Sequence, residues 1–421
     1  MARIDELGQR RAPLERWIDR LAGRFVAVVL LASVVTFAAW APTSIAAAFE
    51  HAMALLVVTC PCALALAAPL ALAVTLGRGA RQGILIKGLY ALEVLARPGT
   101  IVVDKTGTLT EGRLELASVD GDRTALRLAA AVERHSAHPI ARALLAGVET
   151  APLATAVREE LGHGVEGTVE GRAVAVGAVP WLRLGGVHVP PHLEAALADI
   201  AGRAESPIAI AVDGEVVTVL GLADPIRVGA AADLRALAAA GWAIELLSGD
   251  DARVAQRVGA QLGLPAARCH GGVTPEGKLA RVRELRAGGG TVVMVGDGVN
   301  DAAAMAAASC GIAVSGAAEV ALDAADVLLR QPGIGGVLAV IDAGRATLAA
   351  LRRSLWISLG YNAVSASLAA AGIIHPLLAA ILMPISSASV LAMALRSRAF
   401  VAAPPPPQPA PRFTTPIEVH P

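Results

Sequence analysis

Four apolar windows, residues 25–41, 52–76, 354–374 and 376–395, carry almost no charge and constrain this 421-residue chain more than any other feature. A helix rising about 1.5 Å per residue needs about 20 apolar residues to cross the hydrocarbon core of a bilayer. Each window therefore reads as a transmembrane helix, the first lengthening if residues 42–49 continue it near the interface. A secretory signal would show a small-residue cleavage site and a polar mature start, whereas here a second apolar run follows at once. The lipid bilayer is thus the first expected partner.

Basic residues flank the windows on one side only. Arg10, Arg11, Arg16, Arg20 and Arg24 precede the first, Arg78, Arg81 and Lys87 follow the second, Arg345, Arg352 and Arg353 precede the third, and Arg396 and Arg398 follow the fourth. The short connections near Glu50 and His375 contain no Lys or Arg. The positive-inside rule then puts both termini and the long middle segment in the cytoplasm. Across the chain 36 basic residues balance 36 acidic ones, which argues against a nucleic-acid partner bound through bulk charge. Four cysteines, two of them in Cys60-Pro61-Cys62, are too few and too clustered for a disulfide scaffold.

The middle segment reads as two soluble parts. From residue 221, strand-like runs at 243–247, 291–295, 311–314 and 327–329 alternate with Ala-rich helical runs, the pattern of a parallel sheet wrapped by helices. A lone run of the same kind at 100–103 joins that sheet, with residues 112–220 inserted as an α+β lobe. Two hairpins stand out in the lobe, one turning at Gly171 and one at Asp213-Gly214. The expected order is an amphipathic cytoplasmic segment (1–24), two spans (25–76), a connecting helix with the first part of the α/β domain (77–111), the inserted lobe (112–220), the rest of the α/β domain (221–345), two more spans (346–398) and a disordered Pro-rich tail (399–421).

Ligands of doubly wound sheets bind beyond the carboxyl ends of the strands, so the residues after each run belong together. They are Asp104, Lys105 and Thr106; Ser248, Gly249 and Asp250; and Asp297 and Asp301, with Lys278 opening a helix between. A carboxylate among Mg²⁺, a lysine and hydroxyl donors can attack a phosphoryl group, because the cations offset the charge that would repel it. Asp104 is the natural nucleophile, Asp297 and Asp301 suit magnesium, and Lys278 and Ser248 suit the phosphoryl oxygens. Any one of these could be a helix cap. The set at successive strand ends is a site.

Asp-Lys-Thr-Gly-Thr-Leu-Thr at 104–110 together with Gly-Asp-Gly-Val-Asn-Asp at 296–301 resembles the phosphorylation domain of P-type ATPases, a branch of the haloacid dehalogenase-like superfamily. The resemblance implies phosphorylation of Asp104 by ATP, with Mg²⁺ at Asp104, Asp297, Asp301 and the backbone of Thr106. Ser248 stands where the family has threonine, and Gly277 replaces the acid before Lys278. The inserted lobe becomes the nucleotide domain: Glu133, His138 and Pro139 are similar to the adenine-binding signature of the heavy-metal branch, and Gly162 and Gly164 match its glycine pair. Gly162-x-Gly164-x-x-Gly167 is by itself a weak dinucleotide signal with no helix expected after it.

Cys60-Pro61-Cys62 lies within an apolar window, where a proline break is tolerated chiefly beside a protein-lined cavity. Two sulfurs around such a break, with no Asp, Glu or Lys between Ser354 and Leu395, suit a soft monovalent ion. The pattern resembles the copper branch, which implies Cys60, Cys62, Tyr361, Asn362, Met383 and Ser386 as ligands of Cu(I), with Ag(I) fitting equally well. Met393 and Ser354 stand where asparagines are usual. No Thr-Gly-Glu actuator motif occurs, so the expectation is part of an exporting pump in a bacterial inner membrane. A second chain would supply the actuator, and a soluble copper chaperone would deliver the ion. A zinc or cadmium pump, a tethered phosphatase and a metal-binding remnant are the alternatives.

Overall fold

The computed structural model describes all residues except 1–12, 61, 137–138, 149, 161–162, 204, 298, 315–322, 398 and 401–421. Most of the expected Pro-rich tail and half of the amphipathic N-terminal segment thus lie outside the described residues. The chain divides into two compact units.

The first unit comprises Met1–Pro98, Asp326–Arg330 and Gly336–Pro405. Its main helices are Pro13–Trp40, Ile45–Val58, Cys62–Arg81, most of Gly335–Ala370, and Pro376–Leu395. Among the described residues, two helices are long and apolar enough to cross a membrane, over Arg16–Trp40 and Pro376–Leu395. The other two windows are not single continuous apolar helices. Residues 52–76 fall in two helices, Ile45–Val58 with Thr59 as its C-cap and a second from Cys62, on either side of the expected proline break; the Thr59 hydroxyl donates to the Leu55 carbonyl at 2.6 Å. Ile45–Val58 spans about 21 Å, less than a hydrocarbon core of about 30 Å. Within residues 354–374 only the part up to Ala370 is helical, and it ends a 36-residue helix whose earlier part carries Asp342, Arg345, Arg352 and Arg353. The first window also ends at Trp40 rather than running on, since Ser44 caps the next helix by accepting from the Ala47 amide.

These helices pack through Ala54, Leu55, Val58, Ala369, Ile374 and Ala379, all buried. Small residues let the backbones approach, and a few polar contacts fix the register. The Trp40 indole donates to the Ala370 carbonyl at 3.0 Å, and the buried Thr75 and Thr347 hydroxyls lie 2.8 Å apart. At Gly344 a Cβ would sit 2.6 Å from the Leu92 carbonyl, so the small Leu89–Leu95 helix rests directly on the long one.

The second unit holds a parallel sheet in the order Cys310–Ala313, Val292–Gly296, Thr100–Asp104, Ala243–Leu247, Cys269–His270. Thr100–Asp104 is central, and Ile101, Val102 and Val103 are fully buried, as parallel strands covered on both faces must be. An antiparallel sheet occupies the insertion, in the order Glu115–Gly121, Glu215–Ala223, Ser206–Val212, Arg172–Gly177, Gly164–Val169, Ala154–Glu160. Strand alternation divides its core: Ile208, Ile210 and Val212 pack toward the Ala125–Glu133 and Pro139–Ala146 helices, while Ala209 and Ala211 pack toward Pro191–Gly202. Both expected hairpins form. Their turns hold Glu170-Gly171 and Asp213-Gly214, all four at positive φ, as a two-residue turn that matches strand twist requires. Gly164 opens a strand and no helix follows it, which excludes a Rossmann loop.

Candidate phosphoryl-transfer site

The carboxyl ends of the parallel strands bring the expected residues together. Asp104 ends the central strand and Gly296 ends its neighbour, so Asp297 and Asp301 follow on the same edge. Oxygens of Asp104, Asp297 and Asp301 all lie within 4.8 Å of one another. Lys278 reaches them from the first turn of Pro275–Ala287, a helix started by Pro275 and capped by Thr274, whose hydroxyl accepts from the Gly277 amide at 3.2 Å. Its ammonium donates to Asp104 at 2.5 Å and to Asp301 at 2.8 Å, with all three side chains buried. The missing acid at Gly277 leaves Lys278 in place.

The main chain after Asp104 sets the spacing. Thr106 at φ −72, ψ 130 and Gly107 at φ 71, ψ −17 are the two central positions of a type II turn, which calls for glycine at the second. A Cβ on Gly107 would lie 1.6 Å from the Asp297 carboxylate, so Asp297 is seated on the bare α-carbon. At Gly296 a Cβ would fall 2.3 Å from the Asp301 carboxylate. Two glycines of the motifs thus make room for two acids.

Lys105 turns elsewhere and pairs with Asp250. The Ser248 hydroxyl is buried and accepts from the Asp250 amide at 3.1 Å, which leaves its own hydrogen free to donate. Gly249 has room around its α-carbon, the nearest atom to an added Cβ being the Val273 carbonyl oxygen at 3.9 Å. Thr106 is exposed, so water reaches the position beside the nucleophile.

Three acids share one lysine, and their protonation reflects it. Burial, then the Asp301 carboxylate, pushes the Asp104 pKa up to about 7, while Lys278 pulls it down. Burial and Asp301 likewise bring Asp297 to about 6. Burial works against the Lys278 charge, but Asp104 and Asp301 together raise its pKa above the usual lysine value. Such a cluster of hard oxygens with an excess of negative charge fits Mg²⁺, which Asp104, Asp297, Asp301 and the Thr106 backbone would hold. The ion would supply charge neutralisation for an incoming phosphoryl group. Because bound metal requires deprotonated carboxylates, its affinity should fall as pH drops from about 7 to 5 and its binding should release protons. Titration calorimetry in buffers of different ionisation enthalpy checks this, and a proton count of zero at pH 6 would contradict it.

The inserted lobe has a cavity of about 90 Å³ lined by Glu133, Glu159, Glu160, His163, Gly164 and Gly177, among others. Glu133 is buried with one carboxylate oxygen lacking a partner among the described residues. Burial, helped by Glu159, pushes its pKa up to about 7. A group that pays for desolvation without a partner is poised to bond a ligand's amino group or ring nitrogen. Gly164 and Gly177 face each other across the hairpin, and a Cβ on either would strike the Trp181 ring at 2.5 Å or 2.8 Å. Gly162 and His138 lie outside the described residues, as does the side chain of Pro139. Sequence reasoning missed Gly177, Trp181 and Glu160, the last accepting from the Trp181 indole at 2.7 Å. Hairpin register counted from Gly171 would have found Gly177.

In the first unit Asn362 is buried, and the Tyr361 hydroxyl donates to the Leu382 carbonyl at 3.2 Å. Met383 and Ser386 are partly buried on the same helix as Leu382. Cys60 follows the end of the Ile45–Val58 helix, its amide donating to the Val57 carbonyl at 3.4 Å. The side chain of Cys62 lies outside the described residues.

A family model for haloacid dehalogenase-like hydrolases matches residues 98–309. The chain belongs to the haloacid dehalogenase-like hydrolases. This hydrolase fold is interrupted here by the inserted lobe, and the chain resembles longer proteins on both sides of it. It is 39% identical over 410 residues to a probable copper-exporting P-type ATPase of Mycobacterium tuberculosis, covering 94% of this chain and 53% of that protein. It is 36% identical to a copper-transporting P-type ATPase of Rhizobium leguminosarum, covering 92% of this chain and 48% of that one. The chain thus spans about half the length of the curated relatives it matches. Among solved structures, a zinc-transporting PIB-type ATPase in its E2·Pi state superposes with a TM-score of 0.74 at 31% identity, covering 93% of this chain and 66% of that one. The catalytic domain of a CPx-ATPase gives a TM-score of 0.52 at 27% identity, covering 63% and 98%.

Proposed function

We propose that this chain carries the phosphorylation, nucleotide and ion-binding parts of an ATP-driven pump that exports a soft monovalent metal ion, Cu(I) foremost, across a bacterial inner membrane. The observation that carries the reading is the cluster of Asp104, Asp297 and Asp301, in which Lys278 pairs with Asp104 and Asp301. In that reading ATP lies with its base against Glu133 and the paired glycines. The Asp104 carboxylate attacks the terminal phosphorus, the bond from phosphorus to the bridging oxygen breaks, and ADP leaves. Lys278 and Ser248 donate to the transferring oxygens, and Asp250 keeps Lys105 beside the loop. Four spans with both termini cytoplasmic suit the one-sided arginines, the break at Thr59 and Cys60 supplying the discontinuity an ion site needs. Cys60, Cys62, Tyr361, Asn362, Met383 and Ser386 form the proposed ligand set.

Incubating reduced membranes with γ-labelled ATP tests it. The expected result is an acid-stable, hydroxylamine-labile label that requires Asp104 and disappears in Asp104→Asn, with Cu(I) modulating its level. Absence of label in the parent chain would overturn the reading. Zinc is the second reading, favoured by the zinc-transporting structural relative. A response to Zn²⁺ in place of Cu(I) would select it.

A further inference from the structure

We infer that Arg227 is a positioning residue of the phosphorylation site, fixing the loop after Asp104 from the segment by which the chain returns out of the inserted lobe. The lobe is entered through residues 110–113 and left through residues 224–227, and the two crossings are bonded to each other. The Glu111 amide donates to the Pro225 carbonyl and the Arg227 amide to the Leu109 carbonyl, both at 2.9 Å. Asp224 ties the junction further, its carboxylate accepting from the Thr110 hydroxyl at 2.5 Å, the Gly112 amide at 2.9 Å and the Arg113 amide at 3.2 Å.

The guanidinium of Arg227 then reaches back into the turn. Its Nη2 alone donates to the Gly107 carbonyl at 3.1 Å and to the Glu111 carbonyl at 3.4 Å, one NH2 group bridging two carbonyls of the loop. Gly107 is the residue on which Asp297 is seated, so the contact that fixes the Gly107 peptide also fixes the spacing between Asp104 and Asp297. A third segment closes over the side chain. Gly333, at φ +83, would carry a Cβ 3.0 Å from the Arg227 Cδ and 3.7 Å from the Thr108 carbonyl. The Arg227 Nε is buried there without a partner among the described residues. A charged group is kept at this cost where its other bonds define a geometry. Nucleophile loop, lobe return and the turn at Gly333 thus share one side chain.

The inference rests on Asp104 as phosphoryl acceptor, and the experiment separates the two. Labelling from γ-labelled ATP is measured in membranes bearing the full chain, across a range of ATP concentrations, for the parent, Arg227→Met, Arg227→Lys and Gly333→Ala. Methionine keeps the buried methylenes and removes the bridging NH2 group. Arg227→Met is expected to lower the maximal labelling rate about tenfold or more, as a slight misplacement of reacting groups does, while half-saturation by ATP moves less than about twofold. Arg227→Lys should recover part of the rate, and Gly333→Ala should lower the rate with the same split, since it displaces the side chain without removing it. A parental rate in Arg227→Met, or a loss seen mainly in ATP half-saturation, would overturn the inference alone. A parent without Asp104-dependent label would remove the phosphorylation reading and this inference with it.

Discussion

Replacing Lys278 by methionine is expected to abolish labelling of Asp104 and to make the stability of the metal-free protein fall steeply between about pH 4 and pH 7. One ammonium serves Asp104 and Asp301, with Asp297 close by. Removing one partner of a buried ion pair costs about 3–5 kcal/mol, because the remaining charge is left without compensation. Here two carboxylates lose their cation together. The sign follows from the carboxylates: Asp104 and Asp297 already have pKa values raised to about 7 and about 6, chiefly by burial. A group raised in the folded state gives stability that is fully present below its unfolded pKa, about 3.9 for aspartate, and is lost as pH rises through the folded value. Loss of Lys278 raises Asp104 further and widens that window upward. In chelator, the variant's melting temperature should approach the parent's near pH 4 and fall away from it by pH 7. Saturating Mg²⁺ should close part of the gap. A deficit equal at both pH values and indifferent to Mg²⁺ would mean that Lys278 acts through packing alone.

Much of the site was legible because its residues come in contiguous strings at strand ends. Asp104, Asp297 and Asp301 needed only the rule that parallel strands present their carboxyl ends to one edge, and hydrophobic runs located the strands. The hairpins were equally plain, since Gly171 and Asp213-Gly214 are the residues that positive φ requires. Arg227 was not legible: its hydrogen bond to the Gly107 carbonyl spans 120 positions, and nothing in its neighbourhood marks it. Gly177 was within reach, because counting equal steps from the turn sets it opposite Gly164. The helix break after Val58 was legible from Pro61, which has no amide to continue a helix, whereas the apolar window on either side carries no mark of it. A window also sees only the apolar half of Gly335–Ala370, not the charged half that continues it.

Gly107→Ala should lower the labelling rate by about a hundredfold or more while leaving the lobe's nucleotide affinity unchanged. Two separate penalties meet at this position. An alanine at φ 71 costs roughly 1–2 kcal/mol, because its Cβ crowds the following carbonyl. The added methyl would also lie 1.6 Å from the Asp297 carboxylate, so Asp297 or the turn must move by more than an ångström. A displacement of about 1 Å at a reacting centre is enough for a hundredfold loss. Gly171→Ala separates the two effects, since Gly171 has φ +79 but open space around its α-carbon. It should carry the backbone penalty, seen as a lower melting temperature, and keep the parental labelling rate. The cavity of the inserted lobe, proposed to hold ATP, is lined by neither Gly107 nor Asp297, so fluorescent ATP-analogue binding should match the parent in Gly107→Ala. If Gly107→Ala labelled at the parental rate, Asp297 would not depend on the bare α-carbon for its position, and the seating of the acid on the turn could not be what sets the geometry of transfer.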